Sequence, residues 1–378
     1  MINMSVLIQE VSFEKGISDF INFPHDLYYN DKCYVPEIYM GQKDMMNPKK
    51  YPFHQYGKVK YFLAKKGGKI VGRIAAIDNK NYNNHHKSNV GFFGFCDFIE
   101  DQEVLEALMN KAKEFANENG HDYLMGPTNF TTNETAGTLV EGFDDPPKIL
   151  MTYNKPYYGK LLENYGLQKE MDLYAYMILT ANASDKSMRI ADAVEARLKT
   201  KGIIIRNANL KDINNETKKI QKIYNDAWEE NWGFVPFTDA EFDYLKNDLK
   251  MLLDPNFTYI AEKDGNAIGF GITLPNINEI LIKNKRGKLF PFGLFRLLLG
   301  KKKTKTVRVL ALGVLSEYRK MGIEALFFAK NIQEAKRRGL LGGEASWVLE
   351  NNLSMKAAAE HLNGEKYKTY RLYKMKIN

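Results

Sequence analysis

At 378 residues the chain exceeds one ordinary core, so two domains of common size are expected. Its 44% hydrophobic and 26% charged residues exclude a disordered or fibrous chain. The net charge of +8 is concentrated within residues 283–305, and without zinc-finger spacing or an RNA-binding aromatic pattern nucleic acid is not indicated as a partner.

Residues 6–11 read as an opening β-strand. Residues 61–77 read as strand, turn at Gly67 and Gly68, and returning strand. A further strand at 91–98 runs through Glu100, Asp101 and Glu103 into a helix at 103–119. So acidic a helix start suits the dipole and repels an anionic ligand. A polar insertion at 128–147, punctuated by glycine and proline, reads as a binding loop or as a mobile surface loop. Its candidate contacts are Asn133, Glu134 and Thr135. A short helix near Asn154 and a β-rich tail at 167–179 follow.

Residues 185–200 place Met188, Ile190, Ala191, Val194 and Leu198 near 3.6-residue spacing, a helical linker within 181–202. The pattern then starts again: strand 203–206, a helical region, a hairpin at 257–274 turning on Asp264 and Gly265, strand 307–315, helix 323–338, strand 344–348, a short helix opening at Asn352, and a last strand at 365–377. Ala64 corresponds to Ala261 and Gly72 to Gly269, both 197 residues on. Val35 corresponds to Val235 at 200 and Asn154 to Asn352 at 198. Near-constant offsets over separate segments indicate an internal duplication. The alternation of strands and helices indicates an α/β protein with mixed sheets.

The copies part at the turn into the long helix. In copy two the strand ends in Tyr318, Arg319, Lys320, Met321 and Gly322, and the helix begins at once. The first helical N–H groups lack intrahelical acceptors, glycine admits a ligand to the backbone, and two cations add charge. This strand, Arg-x-x-Gly-x, helix order resembles the pyrophosphate-gripping segment of the GNAT superfamily of acyl-CoA N-acyltransferases. The element order resembles that fold in both halves. On that resemblance the chain is two GNAT-like mixed-sheet domains in tandem: a degenerate one at 1–180, a linker at 181–202, and one at 203–378 holding the acyl-CoA cleft.

Acetyl-CoA or another acyl-CoA is the implied cofactor. Main chain at Leu312, Gly313 and Val314 would flank its thioester. Arg319, Lys320, Met321, Gly322, Ile323, Glu324 and Ala325 would surround its pyrophosphate. Asn351 and Asn352 would touch it or cap the next helix. Glu324 departs from the family pattern, which has glycine or alanine there, and its carboxylate repels phosphate.

The implied reaction is direct attack of an amine on the thioester, which needs a base and a proton donor for the departing thiolate. Glu344 and Glu350 are the candidate bases. Tyr367 and Tyr370 are the candidate donors, because the family's tyrosine position holds Ala359. Trp228, Glu229, Glu230, Asn231 and Trp232 read as an acceptor pocket for a cationic or aromatic amine, from a small molecule or a peptide, or as core anchors. Glu324 and Ala359 equally suit a protein that kept the fold for binding or regulation and lost catalysis.

Segment 283–303 sets Phe290, Phe292, Phe295 and leucines between basic clusters. It reads as a membrane-surface or acyl-chain-covering element, or as a helical hairpin packed on its own domain. The six histidines form no i, i+4 pair and have no cysteine partner, so no metal site is indicated. Two cysteines, no signal-like N-terminus and no bilayer-length apolar run point to the cytoplasm.

Overall fold

Two similar runs of elements follow from the duplicated pattern. The computed structural model describes residues 5–183 and 185–377. The first run is β1 (Leu7–Val11), α1 (Ile17–Leu27), α2 (Tyr39–Met45), β2 (Lys58–Lys66), β3 (Lys69–Asp78), α3 (Lys80–His86), β4 (Val90–Phe98), α4 (Gln102–Glu118), β5 (Tyr123–Gly126), β6 (Thr138–Glu141), α5 (Tyr157–Asn164) and β7 (Gln168–Leu179). Helix α6 (Asp185–Thr200) leads to β8 (Ile203–Asn207), α7 (Ile213–Ala227), α8 (Asp239–Leu249), β9 (Thr258–Lys263), β10 (Asn266–Pro275), α9 (Asn278–Leu281) and α10 (Gly293–Gly300). The chain closes with β11 (Thr306–Val314), α11 (Ile323–Arg337), β12 (Gly342–Leu349), α12 (Leu353–His361) and β13 (Glu365–Lys376). The insertion at 128–147 is therefore not all loop, since β6 lies within it.

The elements form two compact units. Unit 1 takes residues up to 172 with 278–297 and those from 368 on; unit 2 takes 173–277 and 298–367. The boundaries read from the sequence kept 203–378 in one piece, whereas the insertion after β10 and most of β13 belong to unit 1. None of the described helices is long and apolar enough to cross a membrane.

In unit 1 the strands run in the order β1, β2, β3, β4, β5 and the unit 1 part of β13, with β6 also on β13. Helix α4 buries Val104, Leu105, Leu108, Met109, Ala112, Phe115 and Ala116, a face at helical spacing that packs with Phe62, Ile74 and Phe93. Each large apolar side chain buried this way contributes about 1.5–3 kcal/mol. Strands β4 and β5 pair in parallel only from Val90 to Phe92, against Tyr123 to Met125.

Unit 2 repeats the device. Its strands run β7, β12, β11, β10, β9, β8, and β11 pairs in parallel with β12 only from Thr306 to Val309, against Gly342 to Ala345. The register of β10 on β11 skips Leu310, a bulge that bends β11 away. Ile323, Leu326 and Phe327 of α11 pack with Ala191 and Leu198 of α6 and with Ala261 and Ile268. Ile220, Ile223 and Tyr224 of α7 pack with Ile260 and Phe270 in a second cluster.

Candidate active site

After β11, one 3-10 turn (Ser316–Tyr318) leads into a loop that passes through Lys320 at φ +63° and Gly322 at φ +93° before α11 starts. The N–H groups of Tyr318 and Arg319 bond to the carbonyls of Leu315 and Ser316. Those of Lys320, Met321, Gly322, Ile323 and Ala325 have no acceptor among the described residues. A Cβ at Gly322 would lie 3.0 Å from Val194 Cγ1, and Arg197 Nη2 donates to the Met321 carbonyl at 2.9 Å. Helix α6 thus braces the loop from one side, so its curvature is set before any ligand arrives.

Glu324 bears on the same amides. Burial pushes its carboxyl above the ordinary carboxylate range, opposed by a hydrogen bond from its own N–H and by the charge of Arg319. Five open amides and the exposed Lys320 fit the diphosphate of an acyl-CoA, and Glu324 weakens the fit without filling it. Arg319 is partly committed elsewhere: its Nη2 donates to the Ala227 carbonyl at 2.7 Å, at the end of α7.

Where β11 and β12 part, Trp228 Nε1 donates to the Leu312 carbonyl at 3.1 Å, and its ring lies 4.4 Å from that of Tyr224. Of the five residues read as an acceptor pocket, Trp228 is therefore a half-buried anchor. Glu229 and Glu230 are exposed, Asn231 closes a turn onto the Trp228 carbonyl, and Trp232 is half-buried.

A buried polar chain underlies the divergence. Arg308 Nε donates to Ser346 Oγ at 2.8 Å, Ser346 Oγ donates to Glu344 Oε1 at 2.6 Å, and Tyr367 donates its hydroxyl proton to Glu344 Oε2. The Arg308 guanidinium also lies 5.6 Å from the Trp347 ring centre, and Trp347 Nε1 has no partner among the described residues. The structure brings Glu344 and Tyr367 together, with Glu344 sealed from solvent. Glu350 is half-buried just beyond β12, and Tyr370 lies in unit 1. Asn352 caps α12, its side chain accepting from Met355 N–H at 3.1 Å, while Asn351 is exposed. Ala359 packs with Tyr176 and Val348. Sequence reasoning passed over Arg308, Ser346, Trp347 and Arg197. An arginine inside the apolar run 307–315 was the available signal for the first.

At the matching turn in unit 1 only the N–H groups of Glu100 and Gln102 lack an acceptor among the described residues. Asp101 caps α4 by accepting from Glu103 N–H at 3.0 Å, and Lys66 Nζ lies 2.9 Å from both carboxylates. Among the described residues no cluster of three His, Cys, Asp or Glu side chains could hold a metal ion.

Known proteins share this chain's sequence pattern and fold. The sequence pattern of the acetyltransferase (GNAT) family matches residues 217–364. The chain is 34% identical to protein YghO of Escherichia coli (strain K12), covering 100% of this chain and 97% of that protein. It is also 34% identical to the bacterial ceramide synthase of Caulobacter vibrioides, covering 98% and 97%. Among solved structures it resembles a tandem GNAT protein from the clavulanic acid biosynthesis pathway, with a TM-score of 0.59, 12% identity and 99% of each chain covered.

Proposed function

The chain belongs to the GNAT superfamily as a tandem member, and from that premise we propose that it moves an acyl group from acyl-CoA to the amine of a long-chain, lipid-like acceptor. The five open amides between Lys320 and Ala325 carry this reading, because a donor diphosphate needs such a set and the matching turn of unit 1 offers fewer among the described residues. The lipid-like acceptor is supported by near-full-length similarity to a ceramide synthase; a ceramide is the amide of a fatty acid and a long-chain amino diol.

In the step itself the amine nitrogen bonds to the thioester carbon, the C–S bond breaks, one ammonium proton is lost and the thiolate takes a proton. Glu344 orients Tyr367 and Ser346 through hydrogen bonds, and Tyr367 is assigned the proton relay. Asn352 keeps its structural cap. Glu350 is the carboxylate with solvent access for taking up the amine proton. The reading places the protein in a reducing cytoplasm with 283–303 at a membrane surface. Free Cys33 and Cys96 support the first part. Exposed Phe290, Phe292, Phe295 and Leu299 beside basic residues support the second.

The test is incubation of the purified chain with acetyl-CoA or palmitoyl-CoA and a long-chain amino diol, following free thiol and the amide product by mass spectrometry. Thiol release that requires both substrates is expected. No product at any chain length would contradict the reading. A binding or regulatory role is the second reading, favoured by Glu324 beside the α11 amides and by Ala359 in the core. Acyl-CoA binding without thiol release would support it.

A further inference from the structure

Unit 1 contains a cavity of about 100 Å³ where β4 and β5 part, walled in part by the 128–147 insertion. Most of its polar groups satisfy one another. Phe98 N–H donates to the Tyr158 hydroxyl at 2.9 Å, Tyr158 to Tyr28 at 2.8 Å, and Tyr28 to Asp97 Oδ1 at 2.9 Å. Arg73 Nε closes the chain on Asp97 Oδ2 at 2.8 Å. Gln42 and Glu37, which also line it, stand outside this network. Gln42 is 4% exposed, and its Oε1 has no partner among the described residues. Glu37, on the accessible rim, makes no hydrogen bond or ion pair through its carboxylate among the described residues. With Arg73 and Asp97 neutralising each other, the cavity presents one carboxyl and one amide oxygen to a ligand. Its volume matches about three waters, too small for a nucleotide and enough for an ammonium with an adjoining hydroxyl.

The rim continues into apolar surface within the same unit. Tyr39 N–H donates to the Gly287 carbonyl at 3.1 Å. Gly287, at φ +62°, lies so close to the Glu37 carbonyl that a Cβ would overlap it at 1.8 Å. Arg286 pairs with Asp26 at 2.7 Å, and Lys285 donates to the Tyr29 carbonyl at 3.2 Å. Phe290 is three residues from Gly287, within about 11 Å of it by chain length alone. Phe290, Phe292 and Phe295 are 63%, 69% and 70% exposed, uncovered phenyl rings beginning beside the cavity's acidic rim.

We propose that unit 1 is a binding site for a cationic amphiphile, its ammonium head held by Glu37 and Gln42 and its alkyl tail lying on Phe290, Phe292 and Phe295. The site takes its ligand class from the acceptor proposed above, yet its test does not pass through catalysis. Decylamine below its micelle concentration is titrated calorimetrically into the full chain, with hexylamine and decan-1-ol as comparisons. Decylamine should bind and decan-1-ol should not. Glu37→Gln, at an accessible position, should weaken decylamine at least about tenfold while leaving the melting temperature unchanged. Replacing the three phenylalanines by serine should abolish the gain from hexylamine to decylamine, at most about fourfold per buried methylene.

Equal affinity of Glu37→Gln and the unaltered chain, or equal binding of decan-1-ol, would overturn the site. So would association with amine-containing vesicles that ignores Glu37, which would leave membrane contact alone. Glu37-dependent amine binding without amide formation would sink the proposed reaction and keep this site. Amide formation with an unchanged amine KM in Glu37→Gln would do the reverse.

Discussion

Helix α4 starts on Asp101 and helix α11 starts on Gly322, at matching places in a duplicated pattern. In unit 1 the helix start is capped by its own chain: Asp101 accepts the Glu103 N–H, and Lys66 pairs with both carboxylates. In unit 2 a positive φ turns the loop so that five amides lack protein acceptors. The same strand-to-helix geometry yields a capped helix start in one copy and a run of open amides in the other. Glu324 shows that the second copy carries some of the first copy's chemistry.

The comparison breaks most readily in unit 1, where the buried Arg73–Asp97 pair stands at the parting of the strands. Arg73→Met strands Asp97 without its cation and should cost about 3–5 kcal/mol in denaturant unfolding. A loss under about 1 kcal/mol would mean the network is incidental.

The next effect is a pH dependence in the same unit. Burial, with Arg73 and Arg286 adding to it, lowers the pKa of His25 to about 4. The folded state therefore keeps His25 neutral while the unfolded chain protonates near 6.5. Its stabilisation is complete above about pH 6.5 and falls away as pH drops towards 4, by about 3 kcal/mol in all. Thermal unfolding between pH 4 and 7 should show this slope, and His25→Gln should flatten it. An unchanged slope in the variant would place the titration elsewhere.

Smallest is the cap itself. Asp101→Ala should cost about 1 kcal/mol of stability and should give unit 1 no affinity for a CoA diphosphate, because no positive-φ loop precedes α4.

Much of the fold is readable from the residues. Both hairpins announce themselves by glycine turns between β-favouring runs, and repeated offsets reveal the duplication. The linker helix shows in the spacing of Met188, Ala191, Val194 and Leu198, and α6 forms there. The transfer of 278–297 and of the chain from Lys368 on into unit 1 is not legible, because a strand's apolar alternation looks the same whichever sheet receives it. The loop before α11 is legible because it is contiguous, its five open amides lying in one short run of chain. Polar clusters built across the fold are hidden. Arg73 meets Asp97 through a bulged register, and Glu37 and Gln42 line one cavity with residues more than a hundred positions away. Trp228 marks the middle ground: the sequence offers it as pocket or as core anchor, and its bond to the Leu312 carbonyl is not readable there.

The most direct test of the central claim is titration of palmitoyl-CoA and of CoA into the unaltered chain, Glu324→Gln and Gly322→Val. If the α11 amides hold the donor diphosphate, the unaltered chain binds both, Glu324→Gln binds them about two- to fivefold tighter, and Gly322→Val, strained at φ +93° and crowded against Val194, loses both. Equal binding by the unaltered chain and Gly322→Val, or no heat from any of the three at near-millimolar ligand, would contradict it.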